Sequence, residues 1–318
     1  MQKNPVRPSP LMKWCLFHLL AAGLLVSAAL AQPPAPDGSV RFLAFGDWGR
    51  DGGSFQKPVA EQMGRTAAAD RSQFVVALGD NFYEDGVPDV KAAQWKTSFE
   101  AIYTAPSLQI PWYVALGNHD YHGNAQAQVD YTLTNPRWKM PARYYTFTRR
   151  IDTRTSAQFF VLDSSPYAYR KEPKGYGDLS AQDPAAQTAW LERELAKSTA
   201  QWKIVCAHHP VYSGGVHRDT PELIAAIEPL LEKFGVQVFL NGHDHDLQHL
   251  RVGAVNYFCS GAGSKPRAAS RDSRTLFSLG DTGGFLAVKL TQEEFQGRFI
   301  DHTGKEVYAV TLPRRPAR

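Results

Sequence analysis

The sequence is poor in cysteine, with three in 318 residues. Cys15 lies in an N-terminal apolar run, while Cys206 and Cys259 each sit inside a short apolar stretch, at 204–207 and 255–260. Two such residues cannot form the multi-bridge framework of a small secreted domain, so both are expected as buried free thiols. Internal repeats and low-complexity tracts are also missing from the body of the chain, which excludes a solenoid or a fibrous array. With 43% hydrophobic and 21% charged residues the composition is that of a folded globular body.

Lys3, Arg7 and Lys13 precede an apolar run over 14–30 that ends in small residues, Ala28-Ala29-Leu30-Ala31. A basic region, an apolar region and a small-residue end make a signal peptide over 1–31, with cleavage expected after Ala31. As a membrane anchor the run is just short of the usual span. It holds His18 and Gly23 and leads directly into Gln32-Pro33-Pro34-Ala35-Pro36. The chain is therefore expected to be exported, secreted or periplasmic, without a stable membrane anchor. A Pro-rich tether at 32–38, one domain over 39–313 and a short tail at 314–318 follow, since no linker divides the body. Removing three basic residues with the signal leaves 32 Lys and Arg against 31 Asp and Glu, a charge of +1. That balance gives no reason to expect a nucleic-acid partner.

Apolar runs at 40–45, 74–78, 112–116, 159–162, 203–207 and 236–240 have strand length and β-branched or aromatic content, and read as buried strands. Helical patterns lie between them. The clearest follows Thr220-Pro221-Glu222, with Leu223, Ile227, Leu230, Leu231 and Phe234 at helical spacing and Gly235 as the stop. A second follows Asp183-Pro184 with Trp190, Leu191 and Leu195 on one face. A third spans 91–103 with Trp95, Phe99 and Ile102. Past residue 255 the runs at 255–260, 284–290, 295–300 and 307–312 are strands separated by turns. The pattern is α/β with a mostly β C-terminal part.

The polar residues of interest cluster where these strands end. Gly46-Asp47-Trp48-Gly49 follows the first strand and Gly79-Asp80-Asn81-Phe82-Tyr83 the second. A glycine before each Asp is expected to let the backbone turn sharply, aiming the carboxylate into a crevice at the carboxyl edge of a sheet. Taken singly, either motif is an ordinary Asp-Gly turn. Three more clusters at strand ends make that reading untenable: Gly117-Asn118-His119-Asp120, Ala207-His208-His209-Pro210 and Asn241-Gly242-His243-Asp244-His245. His243 and His245, at i and i+2, would face one side of an extended backbone and reach adjacent metal positions. Carboxylates, imidazoles, an amide oxygen and a phenol without any thiolate suit Fe, Mn or Zn rather than Ca.

The ordered set Gly46-Asp47-x-Gly49, Gly79-Asp80-x-x-Tyr83, Gly117-Asn118-His119-Asp120, Val205-x-x-His208 and Gly242-His243-x-His245 resembles the purple acid phosphatases, most closely their small, tartrate-resistant branch. These belong among the calcineurin-like metallophosphoesterases, and Tyr83 is the residue that narrows the broader class to this branch. The resemblance implies a four-layer α-β-β-α sandwich of two mixed sheets with metals at the sheet edge. It implies that Asp47, Asp80, Tyr83 and His245 hold Fe(III), and that Asp80, Asn118, His208 and His243 hold a divalent ion, Fe(II), Zn(II) or Mn(II), with Asp80 bridging. The implied reaction is hydrolysis of phosphate monoesters, releasing inorganic phosphate, by attack of a metal-activated hydroxide. His119 would protonate the leaving group, Asp120 would orient His119, and His217, nine residues after His208, would serve on the substrate side. His209 and Asp244 are read as structural, or as supports of the ligands, rather than as ligands themselves, and His122, His249 and His302 receive no role. Tyr167, Tyr169, Arg170, Lys171 and Lys174 fall in a polar loop and receive none either. The stretch 164–189 lacks cysteine, so the disulfide-pinned, cleavable loop of mammalian members does not carry over.

Two other readings fit parts of this pattern. A phosphodiesterase of the broader class would need room for a second ester group. A non-catalytic exported metal or phosphate binder would have no use for His119 and His217 as proton donors. The oligomeric state leaves no mark in the sequence.

Overall fold

A computed structural model describes Met1 and residues 37–169 and 174–315. The expected signal peptide, most of the tether, Arg170 and Lys171, and the end of the 314–318 tail lie outside the described residues. Among the described residues fourteen strands form two seven-stranded mixed sheets. The first sheet contains β1 (Val40–Phe45), β2 (Phe74–Leu78), β3 (Trp112–Ala115), β4 (Trp138–Lys139), β12 (Gly284–Leu290), β13 (Glu294–Asp301) and β14 (Glu306–Pro313). Its order is β14-β13-β12-β1-β2-β3-β4, with β1 to β4 parallel and β12 antiparallel to β1. The second contains β5 (Tyr145–Arg150), β6 (Ser156–Val161), β7 (Trp202–Cys206), β8 (Val238–Asn241), β9 (Leu247–Val252), β10 (Val255–Ser260) and β11 (Thr275–Leu279). Its order is β11-β9-β10-β8-β7-β6-β5, with β6, β7, β8 and β10 parallel.

The parallel strands read as near-continuous apolar runs because both faces are covered, by the other sheet and by helices. Between the sheets, Phe42 and Phe74 of the first meet Phe159 of the second edge-on, at ring separations of 5.3 and 5.5 Å. Phe147 stacks on Phe159 at 4.7 Å. On the outer face of the first sheet Trp48, Phe82, Trp95, Phe99, Trp112 and Trp138 form a second aromatic cluster. Among the described residues the long helices are Gln56–Asp70 and Pro184–Lys197. Asp183 caps the latter by accepting bonds from Ala185 and Ala186 N–H, at 2.9 and 3.1 Å.

Two helical expectations change. The helix after Thr220 is two short ones, Pro221–Ala226 and Glu228–Lys233, and the Thr220 side chain makes no capping bond. Pro229 explains the break, because it has no N–H to bond residue 225 and its ring crowds that carbonyl. The pattern over 91–103 yields only Trp95–Glu100, wound as a π-helical turn in which Ala101 N–H reaches Lys96 O at 2.9 Å. Trp95 and Phe99 are buried in the aromatic cluster, as their spacing requires. Cys206 and Cys259 are buried free thiols. Among the described residues no helix is long and apolar enough to cross a membrane.

Candidate metal centre

All five motifs lie at the carboxyl ends of parallel strands: Asp47 after β1, Asp80 and Tyr83 after β2, Asn118 after β3, His208 after β7, and His243 and His245 after β8. This is where open α/β sheets gather ligand-binding residues. The intervening motif residues explain why the polar ones face inward. Trp48 and Phe82 are fully buried in the outer aromatic cluster, 5.6 Å apart, which turns their neighbours Asp47 and Tyr83 the opposite way.

Two clusters of donor atoms result. Tyr83 Oη lies 3.0 Å from Asp47 Oδ1, 2.9 Å from Asp80 Oδ2 and 3.2 Å from His245 Nε2. His208 Nε2 lies 3.4 Å from Asp80 Oδ1, 3.2 Å from Asn118 Oδ1 and 3.2 Å from His243 Nδ1. Asp80 thus gives one oxygen to each cluster. Donors bound at about 2.0–2.2 Å around one ion stand about 2.9–3.5 Å from each other, so both clusters have the dimensions of a coordination shell. The outer contacts agree. His208 Nδ1 is 2.9 Å from Leu78 O and His245 Nδ1 is 2.7 Å from Lys265 O, which leaves Nε2 of each ring as a lone pair facing the cluster. Backbone N–H groups of His119 and His243 donate to Asp80 Oδ1 and Asp47 Oδ2, at 2.8 and 3.0 Å.

Burial raises the Asp47 carboxyl well above its ordinary value, against the pull of His208. Burial and then the two carboxylates raise the Tyr83 phenol in the same way. Burial would lift Asp80 too, but the charge and hydrogen bond of His208 hold it below the usual carboxylate range. Burial would lower His208, yet Asp80 and Asp47 bring that ring up to about 9. Protons are thus doing the work of positive charge between buried acids. A donor set of this kind exchanges such protons for a cation, so the residues present fit a metal pair.

The backbone differs from expectation. Three of the expected ligands themselves take left-handed backbone, Asp47 (φ 62°), Asp80 (φ 49°) and His243 (φ 70°), so His243 and His245 do not share an extended segment. Their rings divide between the two clusters. Of the glycines that precede these residues, Gly79 alone has positive φ. The glycines are needed for room: a Cβ on Gly242 would sit 2.5 Å from Asp47 Oδ2, and one on Gly117 would sit 2.2 Å from Asp80 Oδ1.

Asp120 also differs. Its fully buried carboxylate accepts bonds from the N–H groups of Gly117, Asn81 and Phe82 and from Gln128 Nε2, at 2.8, 2.9, 3.2 and 2.7 Å. It therefore ties the β2 and β3 loops together and is not the partner of the His119 ring. That ring instead has Nδ1 2.5 Å from Glu84 O and lies 4.5 Å from the Tyr83 ring. His217 stands 4.2 Å from the His243 ring. The Asp244 carboxylate accepts from His217 N–H at 2.9 Å, and Arg267 donates to His217 Nε2 at 3.0 Å. His209 faces Ser164 Oγ at 2.8 Å, and His249 is held between Tyr308 and Asn256. Tyr167 is buried with its hydroxyl on Pro184 O at 2.8 Å.

Several contributors carry no local sequence signal. Arg50 lies over the Tyr83 ring at 3.6 Å and pairs with Glu84. Arg267 and Lys265 reach the site from beyond β10, and Asn81 and Gln128 complete the network around Asp120. A conspicuous Gly-Asp or Gly-His pair announces the others, whereas these are recognisable only by their contacts.

Residues 40–247 match the family model of calcineurin-like phosphoesterases. Purple acid phosphatase 4 of Arabidopsis thaliana is 37% identical over 308 residues, covering 92% of this chain and 90% of the relative. Tartrate-resistant acid phosphatase type 5 of Homo sapiens is 33% identical over 331 residues, covering 95% and 98%. Among solved structures, GAP50, the anchor in the inner membrane complex of Plasmodium, shares the fold with a TM-score of 0.78 at 24% identity, over 88% of this chain and 90% of that one. The purple acid phosphatase of yellow lupin seeds shares it at 0.63 and 16%, over 88% and 55%. With motifs, fold and relatives in agreement, the chain belongs to the purple acid phosphatases within the calcineurin-like phosphoesterases, and it is an acid phosphatase.

Proposed function

We propose that this phosphatase is exported and hydrolyses phosphate monoesters at a dinuclear Fe(III)–M(II) centre. The observation that carries the reading is the placement of Tyr83 Oη within 3.2 Å of Asp47, Asp80 and His245, with Asp80 spanning to the second cluster. Asp47, Asp80, Tyr83 and His245 would hold Fe(III), and Asp80, Asn118, His208 and His243 the divalent ion. The anionic oxygen-rich set favours the harder, more charged ion and the neutral nitrogen-rich set a softer divalent one. When bound, such a pair acidifies a water and neutralises phosphate oxygens.

The chain's own residues supply the remainder. His119, with Nδ1 anchored on Glu84 O, keeps Nε2 for the ester oxygen and delivers the leaving-group proton. His217, fixed through its backbone by Asp244 and at Nε2 by Arg267, borders the substrate beside His243. Asp120 keeps the loops bearing Asp80 and Asn118 in register.

Purified protein is expected to contain iron and to be coloured by tyrosinate-to-iron charge transfer. Tyr83→Phe should lose the visible band and at least about tenfold in kcat, in line with loss of a group that tunes a metal. Two bound metals without such a band, together with a Tyr83→Phe variant of unaltered activity, overturn the iron assignment. Turnover of p-nitrophenyl phosphate should exceed that of bis(p-nitrophenyl) phosphate, and the reverse order would make the enzyme a diesterase.

A further inference from the structure

β7 and β8 carry His208 and His243 beyond their carboxyl ends, and a different concentration of charge lies at their amino ends. There Gln201, Lys203, Lys233, Gln237, Arg314 and Arg315 are among ten residues lining a cavity of about 260 Å³, none of them acidic. Residues 32–318 are nearly balanced in charge, so four cations around one hollow do not follow from a generally basic surface. Lys233 is paired with Glu192 at 2.7 Å. Lys203 Nζ donates to Phe234 O at 3.0 Å, and among the described residues neither it nor Arg314 forms an ion pair. Among the described residues Arg314 Nε is buried without a hydrogen-bond partner.

The floor of the hollow is fixed. Buried Gln237 accepts from Lys203 N–H at 2.9 Å and donates to Gln201 O at 2.8 Å. Burial lowers the Lys203 ammonium below its usual value, and no lining carboxylate offsets that. Lining cations without a carboxylate among them favour an incoming anion, which they can hold by charge-assisted bonds. The volume falls below the about 300–1,000 Å³ of pockets for drug-sized ligands, so the occupant is small.

We propose that this cavity is a second anion site, which binds a small tetrahedral oxyanion such as inorganic phosphate. It is separated from the metal centre by the length of β7, roughly 17 Å.

The test uses the full metal-loaded chain and radiolabelled inorganic phosphate in equilibrium dialysis. The wild type is expected to bind two phosphates per chain. The double variant Lys203→Gln with Arg314→Gln should bind one, with kcat, KM and competitive inhibition by phosphate unchanged. Gln201→Glu keeps the acceptor for Ser156 N–H and adds a carboxylate to the lining, and should lose the same phosphate. Sulfate should displace the second phosphate and chloride at equal ionic strength should not. A wild type that binds one phosphate, variants that still bind two, or equal displacement by chloride would each overturn the proposal.

Discussion

The two sheets contribute unlike halves of one site. Loops of the first supply oxygen donors, from Asp47, Asp80, Tyr83 and Asn118, and loops of the second supply nitrogen donors, from His208, His243 and His245. Neither half is complete alone. The tyrosine cluster borrows His245 from the second sheet, and the histidine cluster borrows Asp80 and Asn118 from the first. The packing of sheet on sheet therefore sets the donor distances, and the aromatic core between the sheets is part of the machinery of the site.

The largest effect is expected where the halves join. Asp80→Asn removes the charge of the residue that gives an oxygen to each cluster, and should lower kcat by more than the roughly 100-fold typical of an outer partner while reducing metal per chain. Metal analysis beside steady-state kinetics checks this. Two metals retained with activity within tenfold would mean that the clusters work independently. Next comes the core. Phe159→Ala opens a cavity between Phe42, Phe74 and Phe147 and should cost about 3–5 kcal/mol in stability, measured by denaturant unfolding. If packing sets donor distances, metal affinity should fall with it at a temperature where the variant is still folded. A variant with lowered stability and untouched affinity would separate core from site.

The smallest effect concerns Asp163, whose carboxyl burial pushes up to about 7 despite the Tyr121 hydroxyl and Arg143. Because the folded-state value is raised above the unfolded one, the folded protein binds the extra proton between about pH 4 and 7, and stability falls as pH rises through that window. Asp163→Asn should flatten that dependence and raise Tm at pH 7 by a few degrees, seen by thermal melts across pH. Equal slopes in variant and wild type would remove Asp163 from the account.

Much of the site was legible because each element is local: a strand-length apolar run, then Gly-Asp, Gly-Asn-His-Asp or Gly-His at its end. What the sequence hides is set by distant partners. β9 carries no clear strand signal, since Gln248 and His249 interrupt its apolar pattern. Both are buried because Asp246, Ser213, Asn256 and Tyr308 satisfy their polar atoms. The same holds for Asp120, whose adjacency to His119 suggested a shared task. Its backbone turns the two side chains apart, and the carboxylate meets amides from two loops. The helix Gln56–Asp70 has a weak sequence signal because Gln56, Ala60, Gly64 and Ala67 leave Val59 and Met63 as the bulky apolar residues of its buried face. The break at Pro229 was written in the sequence, but the helical spacing around it masks the missing donor.

The glycines beneath the metal centre also determine where the enzyme can be altered. Gly117, Gly242 and Gly261 each have a carboxylate oxygen of Asp47 or Asp80 within 2.8 Å of where a Cβ would stand, and Gly49 has the Asn81 carbonyl closer still. Even alanine at these positions would push a metal-facing carboxylate or its supporting backbone aside. The floor of the site thus admits almost no alphabet other than its own. Efforts to redirect substrate choice are better spent on the rim, at Val216 and Lys265, where side chains reach solvent and new contours can be tried without dismantling the chemistry.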